Sequence, residues 1–447
     1  MAHGSCLAAS PRGRDHVGNR SVRVPRREPT TRQHGGTVLG GDSGGRVDRE
    51  RRALGHFTRR RRDWESTLTN TQRIRVLALS PIPEEGAGCR FRVAQYIPYL
   101  REAGFDVTIS SFYTPEFFRL VYRHGHHTRK ALSFARFSLR RVGELLTLGR
   151  YDLVFLYREA IPLGPPVIES LIARRGIPIV YDFDDAIFLR NVSEANKAFA
   201  FLKDPGRVAR ILERSTHVTV GNEFLASFAR RHNPRVSVIP TAVDTSRFAP
   251  RATATDPTGL PVVGWIGSPT TFPYLQGIAG ILRTVAERHP FVLRVSGAGR
   301  PVAFDGLQVE DVPWSLADEV RLFNTCDIGV YPLTDDDWAR GKCGFKAIQC
   351  MACGVPVVAS AVGVNREIIE DGVNSFLATT PGEWIEKLGR LLGDRALREQ
   401  MALRGRRTIE ERYSLKVTAP KLAAVLASAA GREYAVRPQQ GATERLI

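Results

Sequence analysis

From residue 74 onward the chain repeats one pattern: a short apolar run, a polar or glycine-bearing loop, then apolar positions at helical spacing. Ile74–Ser80 (IRVLALS) reads as a buried strand, followed by a loop with Gly86 and Gly88. A helix is predicted over 91–104, with Phe91, Val93, Ile97 and Leu100 on its apolar face and Gly104 as its stop. FDVTISSF, YDLVFLYRE and IPIVYDFDDAIF supply further strands, with a helix from about Pro166 to Arg174 between the last two. HVTVGNEFLASFARR is a strand that turns into a helix capped near Asn222. A second series opens at Val262–Ile266, which runs into a Gly-Ser-Pro-Thr loop, and continues through FVLRVSGAG. It ends with a strand from Asp327 to Pro332, a helix carrying Phe345, Ile348, Met351 and Ala352 on one face and stopped by Gly354, and the strand Val355–Ser360 with Gly363 in the turn behind it. Strand, loop, helix, strand is the repeating unit of an open parallel sheet, where ligands sit beyond the carboxyl ends of the strands. The expected fold is α/β, with two Rossmann-like domains.

Length and composition fix the boundaries of these two series. The 447 residues suffice for two substantial cores. Residues 1–70 lack either periodicity and hold 15 arginines against 7 acids, so they are expected to form a disordered Arg/Gly-rich tail carrying eight of the 18 net positive charges. The first domain is placed at 71–253 and the second at 254–415, with the Pro/Thr/Ala-rich ATATDPTGLP as linker and 416–447 as a carboxyl-terminal helix and tail.

No apolar run approaches the roughly 18 residues of a spanning helix, and the amino terminus lacks a signal-type apolar core. Six cysteines without a disulfide pattern fit reduced thiols and a cytoplasmic location. Cys343, Cys350 and Cys353 have no partner at zinc-ribbon spacing, so no metal is expected.

Three stretches carry candidate chemistry. The loop Asp335–Gly344 opens toward the crevice, and the helix starting near Gly344 aims N–H groups at it between Lys342 and Lys346, a natural phosphate site. Asp182, Asp184 and Asp185 sit at a strand's carboxyl end. Acceptor contact, a hard cation, and capping of the loop are the three readings of that cluster, and acceptor contact is preferred. Residues 116–150 set eight Lys or Arg among phenylalanines and leucines. They read either as an interfacial helix at an anionic membrane surface or as an amphipathic helix covering the sheet with a solvated basic face. No nucleic-acid motif accompanies the charge.

The phrases MACGVPVVAS and G-x-x-E-I-I-x-x-G-x-N-x-F-L, with Gly363, Glu367, Gly372, Asn374 and Phe376, resemble the carboxyl-terminal half of family-4 retaining glycosyltransferases with the GT-B fold. VSVIPTAVDTSRF also resembles that family's V-I-P-N-G-V-D-x-x-x-F, with Asp244 and Phe248 in place. The resemblance implies two facing Rossmann-like domains, a nucleotide-diphosphate sugar as co-substrate, no cofactor, and transfer with retention to a glycan, lipid-linked or metabolite acceptor. It departs from the family at the glutamate-x7-glutamate pair, whose positions hold Gly341 and Gln349. A branch with rewired donor contacts is therefore expected, or a glycosyltransferase-like binding protein without catalysis.

On this resemblance the donor side comprises Gly267, Ser268 and Thr270 in the first loop, Lys342, Gly344 and Phe345 in the second, Trp314 beside the nucleobase, and Glu367. Gly86, Gly88, Arg90 and Arg92 lie across the cleft, with Asp185 toward the acceptor. Lys346 and Asp184 are the catalytic candidates, Lys346 as stabiliser of the leaving diphosphate. A charge pair at about 4 Å and an effective dielectric of about 20 interacts by roughly 4 kcal/mol. A helix terminus adds about 0.3–1 kcal/mol, so lysine is expected to dominate. The expected location is cytoplasmic, at the inner face of the membrane.

Overall fold

The computed structural model describes residues 73–121, 125–189, 204, 206–251 and 259–434. The tail expected over 1–70, residues 252–258 of the linker and the last thirteen residues lie outside this set.

Among the described residues, twelve strands form two six-stranded parallel sheets. The first has the order β2-β1-β3-β4-β5-β6, built from β1 (Ile74–Ser80), β2 (Phe105–Ser111), β3 (Leu153–Tyr157), β4 (Ile179–Phe183), β5 (His217–Val220) and β6 (Val236–Val238). The second has the order β12-β11-β10-β7-β8-β9, from β7 (Val262–Ile266), β8 (Val292–Ser296), β9 (Gln308–Val312), β10 (Ile328–Tyr331), β11 (Val357–Ser360) and β12 (Phe376–Ala378). The central strands read as continuous apolar runs because helices cover both faces; β3 and β4 are buried along their whole length. Strand order reverses between β1 and β3 in one sheet and between β7 and β10 in the other. Loops leaving those strands therefore border a crevice.

The helix expected over 91–104 is divided. α1 (Ala87–Arg92) starts earlier, the backbone leaves helical geometry at Val93, and a second helix runs Ile97–Glu102. Pro98 lacks an N–H and its ring crowds the carbonyl four residues back, which is why one continuous helix does not form. α2 (Pro115–Val121) and α3 (His127–Glu144) form an excursion between β2 and β3. α4 (Glu223–Ala229) follows β5, α5 (Glu319–Asn324) precedes β10, and α6 (Phe345–Ala352) joins β10 to β11.

α7 (Arg395–Arg412) packs on the second sheet's helices, and α8 (Leu415–Ala429) crosses back to the first. Leu415, Ala419, Leu422, Ala423 and Leu426 of α8 share one buried cluster with Val76, Tyr96, Phe105 and Phe155. The Tyr96 hydroxyl and Thr418 Oγ1 lie 3.1 Å apart. A second apolar joint links the halves: Phe91 of α1 lies 4.4 Å from Phe345 and 6.0 Å from Phe248, ring centre to ring centre.

Candidate active site

The first half brings a tightly paired cluster to the crevice. β3 ends at Tyr157, and Arg158 follows with φ of 57°, a left-handed conformation that strains a side-chain-bearing residue by about 1–3 kcal/mol. Its contacts offset that strain. Arg158 Nη2 donates to Asp184 Oδ1 at 2.8 Å and to Asp185 Oδ2 at 2.5 Å, and Nε donates to Asp184 Oδ1 at 3.2 Å. The Tyr157 hydroxyl donates to the same Asp184 oxygen at 2.8 Å.

Burial raises both carboxyls. At Asp184 the charges of Arg158 and Arg92 overcome it and hold the group below its ordinary 3.8. At Asp185 burial and the neighbouring Asp184 charge prevail over Arg158 and Lys342, leaving that carboxyl above 3.8. One carboxylate is thus fixed as an anion while its neighbour takes a proton more readily.

This cluster accounts for a glycine. A Cβ on Gly88 would stand 2.0 Å from the Tyr157 hydroxyl, so only glycine lets α1 approach β3 this closely. Gly86 is tight as well, with Ile82 2.7 Å from where its Cβ would be.

Two neighbouring arginines are buried. Arg92 is 2% exposed, and its guanidinium is committed to Asp182 at 2.5 and 2.9 Å, with a further bond to the Ile239 carbonyl at 2.8 Å. It ties α1 to β4 inside the first half, so its guanidinium is not free for an acceptor; Asp182, its partner, also accepts from Thr219 at 2.6 Å. Arg90 is buried too, but it crosses between the halves: Nη2 donates to Glu319 Oε1 at 3.2 Å.

The second half contributes the loop between β10 and α6, which is docked on the first half. Asn222 does two jobs there. Its Oδ1 caps α4 by accepting from Leu225 N–H at 2.9 Å, and its Nδ2 donates to the carbonyls of Gly341 at 3.2 Å and Lys342 at 2.9 Å. Cys343 Sγ donates to the Asp184 carbonyl at 3.1 Å. Gly344 caps α6 with φ of 63°, where a Cβ would also strike Ile368 at 2.3 Å.

The two missing acids are explained by their surroundings. A Cβ on Gly341 would lie 2.6 Å from the Cβ of Ala186, so no glutamate fits where the loop presses on the first half. Gln349 is fully buried; its Oε1 accepts from Lys346 Nζ at 3.0 Å and its Nε2 faces Glu319 Oε1 at 3.4 Å. A glutamate at 349 would set a second buried carboxylate against Glu319.

The two lysines have different neighbours. Lys342 lies 5.4 Å from the Trp338 ring and acts on Asp185. Lys346 is half-buried, 5.5 Å from the Phe323 ring, and belongs to the chain Arg90–Glu319–Gln349–Lys346. Burial lowers the Lys346 ammonium against the pull of Glu319. The Phe345 ring is spent on the joint with Phe91, leaving its backbone at the helix start.

In the loop after β7, Ser268 Oγ and Thr270 Oγ1 lie 2.9 Å apart, and Gly267 is pressed against the Trp265 ring. Glu367 is exposed and lines a cleft of about 340 Å³ with Asn222, Arg340, Gly363 and Arg366. Trp314 stands partly exposed just past β9. The sequence pattern passed over Tyr157, Arg158, Arg340 and Glu319. A charged residue directly after a buried strand, as at Arg158, is the signal that marks the first pair.

This architecture defines the class: two facing parallel α/β halves with a crevice between their strand ends, the GT-B arrangement. Residues 261–394 match the family model described as Glycosyl transferases group 1. The D-inositol 3-phosphate glycosyltransferase of Nocardia farcinica is 30% identical over 200 residues, covering 38% of this chain and 42% of that protein. Its namesake from Thermobispora bispora is 26% identical over 332 residues, 65% and 73% of the two chains. The first of the curated relatives, from Xylanimonas cellulosilytica, is spanned over 53% of its length, and the chain spans about half of most such relatives. Among solved structures, sucrose-phosphate synthase from Thermosynechococcus elongatus superposes with a TM-score of 0.58 at 16% identity, over 79% of this chain and 98% of that one. Anabaena HepE in complex with UDP and glucose gives 0.55 at 17%, over 79% and 100%.

Proposed function

We propose that the protein transfers a sugar from a nucleotide-diphosphate donor to a cell-envelope, lipid-linked or metabolite acceptor, with retention, using the nucleotide sugar as co-substrate and no cofactor or metal. The observation that carries this reading is the docking of the 341–344 loop onto Asn222 and the Asp184 carbonyl, which sets the start of α6 opposite the acid cluster. A diphosphate at that helix start meets backbone N–H groups and Lys342. Lys346, in the first turn of α6, supplies further positive charge, partly offset by Glu319. Charge on the departing diphosphate grows in the transition state, so such fixed donors act mainly on the barrier. Asp184, held ionised, supports the positive character that develops on the sugar, and Asp185 receives an acceptor hydroxyl. The names of the Nocardia and Thermobispora relatives point to an inositol phosphate type of acceptor, and HepE was captured with UDP and glucose. The proposed location is cytoplasmic, at the inner membrane face.

Nucleotide release from a panel of UDP-, GDP- and TDP-sugars tests the reading. Turnover of one donor is expected, and Lys346→Ala is expected to lower it far more than it lowers the melting temperature. Near-normal turnover by that variant overturns the assignment. Because positions 341 and 349 lack the family's acids, binding without turnover of any donor would instead identify a nucleotide-sugar binding protein.

A further inference from the structure

The α2–α3 excursion carries a surface that the donor and acceptor chemistry does not use. Leu132 and Leu139 of α3 are 74% and 73% exposed, Val142 is 50% exposed, and Leu146, in the short 3-10 helix Leu145–Arg150 that continues α3, is 86% exposed. Positions 132 and 139 are seven residues apart and share the outer side of α3, and Leu146 protrudes just past its end. Elsewhere in the described residues only Leu403 is an equally exposed leucine.

Beside these leucines lies a groove of about 500 Å³ between α2 and α3. Its floor is Phe117 and Phe137, and its rim is Arg129, Arg136, Arg140 and Ser133. Arg140 is anchored: it donates to the Phe112 carbonyl at 2.8 Å and lies over the Phe137 ring at 5.5 Å. Arg129 and Arg136 are exposed and, among the described residues, pair with no carboxylate. Glu116 is the groove's sole acid.

Unpaired cations over an aromatic floor, next to protruding leucines, match one kind of partner. We propose that this face docks on a bilayer surface rich in anionic phospholipid, with Arg129 and Arg136 on lipid phosphates and Leu132, Leu139 and Leu146 in the acyl boundary. A second copy of the chain fits poorly, because a two-fold contact would press these arginines against their own counterparts. Nucleic acid would leave the leucines without a role. Among the described residues no helix is long and apolar enough to cross a membrane, so the contact is peripheral. The inference extends the membrane-face location proposed above, but no donor-site residue takes part in it.

Sedimentation of the full chain with vesicles tests it, without nucleotide present. One set is phosphatidylcholine alone and the other is about one-third phosphatidylglycerol, the kind of surface that attracts basic side chains by about fivefold each. Binding to the anionic set only is expected, and Arg129→Ala with Arg136→Ala should weaken it about 30-fold, two such factors. Leu132→Ser with Leu139→Ser should weaken it as well, whereas Leu403→Ser should not. Equal binding to both vesicle sets overturns the proposal, as does wild-type binding by either double variant, which would place the attraction on other basic residues. Concentration-dependent dimerisation abolished by Leu139→Ser would overturn it in favour of a second copy. Vesicle binding and nucleotide release are read separately, so either can fail while the other stands.

Discussion

Replacing Glu319 by glutamine probes the joint between the halves, because its carboxylate is nearly fully buried and faces Arg90 at 3.2 Å and Arg247 at 3.5 Å. At an effective dielectric of about 20, a charge pair near 3.2 Å interacts by roughly 5 kcal/mol. Arg247 is largely exposed, so solvent screening reduces its share to well under about 1 kcal/mol. Losing the carboxylate leaves Arg90 buried with a charge and no counterion, a situation that costs about 3–5 kcal/mol. Glutamine keeps one acceptor oxygen, so the lower end, about 3 kcal/mol, is expected. The same change frees positive charge from Arg90 and Lys346 for a bound diphosphate. Denaturant unfolding should therefore show a less stable protein, while titration with nucleoside diphosphates should show tighter binding. Opposite signs in the two assays are the signature. Unchanged stability, or weaker nucleotide binding at unchanged fold, would refute the idea that Glu319 holds these two cations in check.

Other outcomes follow from the acid cluster and its supports. Asp185 binds its proton more readily folded than unfolded, so it contributes a loss of stability as pH rises through and above 3.8; Asp184 is the reverse, its contribution being lost as pH falls below 3.8. Melting temperatures across pH 3–7 should thus flatten above about 3.8 for Asp185→Asn and below it for Asp184→Asn. Gly88→Ala should displace the Tyr157 hydroxyl and lower both stability and turnover, with partial recovery when Tyr157→Phe removes the clashing oxygen, as thermal melts and nucleotide release can show. Asn222→Ala should lower stability by about 1 kcal/mol as a lost cap and raise the donor KM by loosening the 341–344 loop, measured by steady-state kinetics.

The strands and the β10–α6–β11 unit were legible because their signals are local: β1 falls on the apolar run at 74–80, and α6 ends where Gly354 stops it. What stayed hidden depends on partners far along the chain. Nothing near Arg92 tells that its guanidinium turns inward, because Asp182 lies 90 residues away. Asn222 reads as a cap and is one, yet its amide also grips a loop about 120 residues downstream. Gly341 and Gln349 looked like losses against the family phrase; only packing against Ala186 and the buried Glu319 shows why acids are unsuited there.

The return of α8 onto the first sheet sets an order of events during synthesis. The apolar groove beside Tyr96 and Phe105 has no lid until Leu415–Leu426 leave the ribosome, some 190 residues after β6. At about 5–20 residues per second that is a wait of about 10–40 s. The nascent amino-terminal half is thus a natural client for a holding chaperone, and a fragment ending at the linker should be insoluble unless α8 is supplied as a separate peptide.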